Sequence, residues 1–249
     1  MTGIASVILR HEPNYRSQAV IAGFRKHGYK IASTPNPNPT EHDVLLIWNR
    51  YSRHEHHAKM YEKAGGKVVI MENGYAGNAK ALALNHHNGA GTWTIGTEDR
   101  WHKFGVDLQP WRAGGDYILV LPQRGIGEPG VSMPRNWLIN MLDKLKRHTD
   151  RPIKIRKHPG TNKCVPLEDD LANAWACVTW GSGAAIKALA YGVPVFHEFG
   201  QWIGASASNC NMDIESPYLG DRLPMFKRLA YAQWALDEIQ SGEAFEWLL

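Results

Sequence analysis

Three short stretches of this chain combine residue types that bind or move charge. Thr179-Trp-Gly-Ser-Gly183 follows an apolar run and opens a helical segment. Glycines let an anion approach the backbone, and a helix N-terminus supplies free N–H groups and partial positive charge. The Ser182 hydroxyl, flanked by Gly181 and Gly183, can donate to the same oxygen. A tight strand-to-helix turn whose glycines serve packing alone would read the same way. The stretch is neither a GxGxxG fingerprint nor a Walker loop, which weighs against dinucleotide and ATP-hydrolase readings.

Ile155-Arg-Lys-His-Pro-Gly160 follows another apolar run and presents Arg156, Lys157 and His158. His158, stiffened by Pro159, can donate to a phosphate or protonate a departing one, because its pKa lies near neutrality. Residues 144–163 carry eight Lys or Arg against one acid, Asp150. A solvated basic face is the usual meaning of such a run. Leu121-Pro-Gln-Arg-Gly-Ile-Gly127 would bring Gln123 and Arg124 to the same crevice, and Ser132, just before Pro134, reads as a helix N-cap.

Met71-Glu-Asn-Gly-Tyr75 is expected to end the last strand of the first half. Glu72 can deprotonate a hydroxyl held within hydrogen-bond reach, or simply initiate a turn with Asn73 at Gly74. Asn85-His-His-Asn-Gly-Ala-Gly91, near Trp93, Trp101 and Trp111, is polar and aromatic. Such a surface can stack sugars or bases, or be packed between halves. Asn73, Tyr75, His86 and Asn88 are therefore candidate acceptor contacts. The clusters His54, His56, His57 and His86, His87 lack a zinc spacing, and neighbours at i and i+2 diverge on a helix, so no metal site is expected.

The elements that must position these residues follow an α/β pattern. Short apolar runs at Ile4–Leu9, Asp43–Trp48, Lys67–Met71, Tyr117–Leu121, Ile153–Lys157, Ala176–Thr179 and Pro194–Phe196 alternate with amphipathic segments. This predicts βαβ units and parallel sheets, with ligands at the carboxyl ends of the strands. Residues 72–116 read as an irregular functional loop region, and Leu223, Phe226, Leu229, Ala230 and Trp234 as one C-terminal helix. The pattern divides into halves at 1–112 and 113–249.

Of the 249 residues, 43% are hydrophobic and 21% charged, which supports a folded core rather than disorder. The net charge of +4 and sequence pI near 8.9 suit phosphate-bearing partners without requiring them. Three cysteines without CxxC spacing fit a reducing cytoplasm. No run approaches the ~20 apolar residues of a membrane span.

Taken in order, four stretches resemble the capsule polysaccharide biosynthesis family, the Kps-type Kdo transferases, which are related to bacterial sialyltransferases. They are Glu72-Asn-Gly-Tyr75, Leu119-Val-Leu-Pro-Gln123, Lys154-Ile-Arg-Lys-His-Pro159, and Trp180-Gly-Ser-Gly183 with Ala188-Leu-Ala-Tyr-Gly-Val-Pro-Val195. The resemblance implies a GT-B-like fold, two small Rossmann-type halves with a cleft between them. It implies a UDP- or CMP-linked nucleotide-sugar donor in the second half and no metal or other cofactor. It makes His158 and Ser182 contacts to the donor phosphate and Glu72 the base. The short format, and Gln233-Trp-Ala-Leu-Asp-Glu-Ile239, look like small phage-encoded proteins of this type. Those favour a hydroxymethylated base in double-stranded DNA as acceptor over a capsular or lipid-linked glycan. A non-catalytic nucleotide- or nucleic-acid-binding module and a nucleotide-sugar epimerase are the rival readings. Stereochemistry and oligomeric state stay open.

Overall fold

Runs of Val, Ile and Leu bounded by Gly or Pro bury both faces of a strand, so they favour parallel sheets covered on both sides. The computed structural model describes residues 3–9, 14–50, 53–85, 96, 98–127, 130–158 and 165–249. The chain forms two compact units, Met1–Phe104 with Arg228–Leu249, and Gly105–Lys227.

The first unit opens with β1 (Ile4–Ile8), α1 (Asn14–Lys26), β2 (Lys30–Ala32), β3 (Val44–Trp48), α2 (Arg53–Lys63), β4 (Lys67–Asn73) and β5 (Ala79–Leu84). The second holds β6 (Tyr117–Leu121), α3 (Trp137–Leu145), β7 (Ile153–Ile155), α4 (Leu167–Leu171), β8 (Ala174–Thr179), α5 (Gly183–Ala190) and β9 (Val195–His197). Helix α6 (Leu223–Leu229) leads back to the first unit, which β10 (Gln233–Ala235), α7 (Leu236–Ser241) and α8 (Glu243–Leu248) complete.

The first sheet runs β10-β5-β4-β3-β1-β2. Strands β2, β1, β3 and β4 are parallel, while β5 and β10 add to the edge antiparallel. One face packs Val20 and Phe24 of α1 with Ile239 and Phe245 of the C-terminal helices. The other packs Ala58 and Tyr61 of α2 against Leu45 and Ile47. Gly23 explains how closely α1 approaches its neighbours: an added Cβ would lie 2.1 Å from the Ile239 carbonyl oxygen. The Phe24 and Phe245 rings stack beside it, with centroids 4.1 Å apart.

Three features depart from the sequence reading. The segment 72–116 is not wholly irregular, because β5 lies in it. Alanines and Lys80 have low strand propensity, but pairing with β4 and β10 overrides it. Trp234, expected on a helix, lies in β10 opposite Lys80. Its spacing from Phe226 and Ala230 fits a helix, yet α6 stops at Leu229 and the open edge of β5 recruits Gln233–Ala235 as a strand. The C-terminal segment therefore belongs with the first unit, and Glu72 and Asn73 do not end its last strand. Residues 105–116 also go with the second unit: the Gln109 N–H donates to the Ala190 carbonyl and the Arg112 N–H to that of Gly192.

The second sheet, β7-β6-β8-β9, is parallel throughout. From β6 the chain goes to β7 on one side, then crosses to β8 on the other. The strand order thus reverses between β6 and β8, where α/β sheets open a crevice at their carboxyl edge.

Candidate functional site

The carboxyl ends of β6 and β8 are tied by one buried side chain. The Thr179 hydroxyl donates to the Leu121 carbonyl at 3.0 Å and accepts the Ser182 N–H at 3.0 Å. Ser182 is the N-cap of α5, its Oγ accepting the Ala184 N–H at 3.2 Å. Among the described residues, no acceptor meets the Gly183 N–H, and the Ser182 hydroxyl hydrogen stays available. Both groups stand at a helix start, where the dipole favours an anion. Gly181 serves packing as well, since a Cβ there would press at 3.3 Å on both Phe199 and Trp202.

The loops after β6 and β7 flank this turn. The Gln123 N–H donates to the Met133 sulfur at 3.2 Å, and the buried Gln123 Oε1 has no protein partner. Arg124 is exposed and lies close enough to His158 to act on it. Partial desolvation first, and the Arg124 charge second, hold the His158 imidazole below its ordinary value. Lys157 is exposed beside it.

The rest of the basic stretch is largely engaged by acids. Asp170 takes both Lys154, at 2.6 Å, and Arg156. Arg156 also donates to the Val165 carbonyl at 2.8 Å. Arg151 pairs with Glu215 at 2.9 Å and Lys144 with Glu198 at 2.9 Å. Arg156, expected at the donor phosphate, is thus paired with Asp170, while Arg124, Lys157 and His158 stand at the loop tips.

A cleft of about 430 Å³ opens at the same strand ends, lined among others by Gly125, Gly127, Ser132, Met133, Arg135 and Trp180. Gly125 and Gly127 have φ of 64° and 139°, which an L side chain adopts only with strain. The Trp180 Nε1–H donates to the Val131 carbonyl at 2.8 Å, and Phe199 stacks on the indole with centroids 5.7 Å apart. Ser132 is not an N-cap: α3 begins at Trp137 with Asn136 as its cap residue. Local sequence pattern gives no role to Trp180 and no signal at all for Arg135. Nor does it mark His197, at the end of β9 opposite Thr179. His197 is buried, which lowers its pKa, and meets Ser208 Oγ at 2.8 Å.

In the first unit, Glu72 and Asn73 lie within β4 opposite Ala81 and Lys80. Gln233 Oε1 accepts the N–H groups of Tyr75, at 2.9 Å, and Ala76, at 3.0 Å, which fixes the turn after β4. Burial, and then the nearby Glu72 charge, push the Tyr75 phenol well above its usual value. Glu72 and Tyr75 are therefore neighbours, whereas His86 and Asn88 lie outside the described residues. The loop after β3 is held structurally: buried Arg50 donates to Glu55 at 2.7 Å and Glu62 at 2.6 Å. A second hollow of about 400 Å³, near His27, Asp43 and Lys67, opens at the amino edge of this sheet. Its Asp43 is already saturated by Ile4, Thr40 and Asn36.

Among the described residues, no group of three or more His, Cys, Asp or Glu could hold a metal ion, and no helix is long and apolar enough to cross a membrane. No family model and no curated protein sequence matches the chain. Solved structures do. Thermosulfurimonas dismutans KpsC, β-Kdo 2,4-transferase, superposes with a TM-score of 0.55 at 10% identity, over 93% of this chain and 90% of that one. Thermosulfurimonas dismutans KpsC, β-Kdo 2,7-transferase, gives 0.50 at 13% identity, over 98% and 99%. The chain therefore has an α/β fold with largely parallel sheets that is similar to that of these Kdo transferases along nearly its whole length.

Proposed function

We propose that this chain is a glycosyltransferase whose second unit binds the phosphate of a nucleotide-sugar donor, UDP- or CMP-linked, at the start of α5. The observation that carries this reading is the turn at Thr179–Gly183. It lies at the strand-order reversal, with Ser182 as the N-cap and Gly183 as the first residue of α5. Gln123, Arg124, Lys157 and His158 add donors and positive charge from the neighbouring loops. The likeness of fold to two sugar transferases supports the same class of reaction.

In the reaction, the bond between the anomeric carbon and the phosphate oxygen breaks, and its electron pair leaves with the phosphate. Helix N–H and cationic groups stabilise that charge. An acceptor hydroxyl oxygen bonds to the anomeric carbon, and its proton goes to a carboxylate, for which we propose Glu72. His158, neutral near pH 7, donates a hydrogen bond to the leaving phosphate.

We favour a sugar hydroxyl as acceptor. The double-stranded DNA expectation rests on the likeness to small phage-encoded proteins, with which the net positive charge agrees, but four cations of the basic stretch are held by carboxylates. The test is product mass: each donor is incubated with glycan acceptors and with hydroxymethylated DNA, using wild type and Glu72→Ala. Sugar on a glycan with wild type, and a loss of about 100-fold or more with Glu72→Ala, supports the reading. Sugar on DNA corrects the acceptor, and full transfer by the variant removes Glu72 from the role of base.

A further inference from the structure

We propose that the cleft walled by Trp180 and Met133 seats the planar base of the nucleotide whose phosphate lies at Ser182, a subsite that rests on the donor reading above. The first argument is reach. Trp180 stands two residues before Ser182, so their Cα atoms are at most ~7 Å apart. A ligand whose phosphate meets the start of α5 can bring the group on the far side of its ribose into the cleft.

The second argument is what the wall offers. The Trp180 N–H is already spent on the Val131 carbonyl, at 2.8 Å, and Phe199 stacks on the ring. The indole therefore turns carbon surface, not a donor, to the cleft. Met133 adds more apolar surface, and the glycines bring backbone close without side chains. Ser132 and Arg135 are the polar side chains of the lining.

A sugar ring would need a partner for each of several hydroxyls, and this wall has too few. A base needs apolar surface on its faces and a few polar groups at one edge, which Ser132, Arg135 and glycine backbone supply. The volume, about 430 Å³, lies within the ~300–1,000 Å³ of small-molecule sites.

The test is calorimetric titration of UMP, CMP and ribose 5-phosphate into wild type, Trp180→Leu, Ser132→Leu and Ser182→Ala, each checked for folding by circular dichroism. Ser132→Leu fills the cleft and leaves Trp180 in the sequence, so the test survives if Trp180→Leu fails to fold. Expected is a loss of about tenfold or more in affinity for the preferred nucleotide in the Trp180 and Ser132 variants, with ribose 5-phosphate unchanged. Ser182→Ala should weaken all three ligands. Nucleotide affinity within twofold of wild type in both cleft variants, with Ser182→Ala still weakened, overturns the base seat and spares the donor reading. Equal losses for nucleotide and ribose 5-phosphate in the cleft variants also overturn it. If neither nucleotide binds wild type, the donor reading falls and takes the subsite with it.

Discussion

Thr179 and Leu121 end two adjacent strands, and the Thr179 hydroxyl joins them by donating to the Leu121 carbonyl at 3.0 Å. The same oxygen accepts the Ser182 N–H, so one buried group sets both the strand ends and the serine turn. Replacing it with an isostere that lacks the hydroxyl removes a donor from the Leu121 carbonyl and the acceptor of the part-buried Ser182 N–H. Thr179→Val should cost about 1–3 kcal/mol in urea unfolding and weaken nucleotide binding as well. Thr179→Ser should recover most of both. A Thr179→Val protein with wild-type stability would contradict the role given to this hydroxyl.

His158 should report on Arg124. The imidazole lies below its ordinary value, first through desolvation and then through the guanidinium charge. Removing that charge in Arg124→Ala should raise the His158 titration midpoint, read from its ring proton shifts in NMR. An unchanged midpoint would place the Arg124 guanidinium away from the imidazole.

Acid should loosen the first unit through Glu238. This carboxylate is buried, and burial alone would raise its pKa. The Arg100 guanidinium, at 2.5 Å, and the Ala235 N–H, at 2.9 Å, outweigh that and hold it below the ordinary carboxylate value. A depressed folded-state pKa gives stability that is present above the unfolded carboxylate pKa and lost as pH falls through the folded one. Arg100 is itself enclosed, with Trp234 at 3.8 Å from its guanidinium. Glu238→Ala should thus cost about 3–5 kcal/mol at neutral pH and flatten the acid limb of the stability profile. A variant with an unchanged acid limb would reassign that limb to other carboxylates.

Gly23 should tolerate no side chain. A Cβ would meet the Ile239 carbonyl at 2.1 Å and the Phe245 ring at 2.7 Å. Gly23→Ala should destabilise by about 1–3 kcal/mol or more in urea unfolding, although alanine is the better helix former. A stabilised variant would mean that α1 and the C-terminal helices separate easily.

Much of this organisation can be read from local pattern. Strands β1, β3, β4, β6 and β8 are buried on both faces, so they appear as continuous apolar runs. The turn at Gly181–Gly183 announces itself by glycine and serine before a helical segment. Strands β5 and β10 do not appear, because alanine, lysine and glutamine become strand only through their partners' open edges. The fate of the basic stretch is also hidden. Arg156 meets Asp170 fourteen residues on, while Lys144 and Arg151 meet Glu198 and Glu215 at separations of 54 and 64 residues. Which cations remain for a ligand is a tertiary property. Ser132 looked like a cap because it precedes Pro134, but α3 starts later and frees it for the cleft wall.

The most direct test of the central claim is calorimetric titration of UMP, CMP, UDP and GDP into wild type and Ser182→Ala. The account predicts saturable binding of at least one nucleotide by wild type and a loss of about tenfold or more in Ser182→Ala, the worth of a hydrogen bond to a charged group. No binding of any nucleotide, or equal binding by both proteins, would contradict a phosphate site at the start of α5.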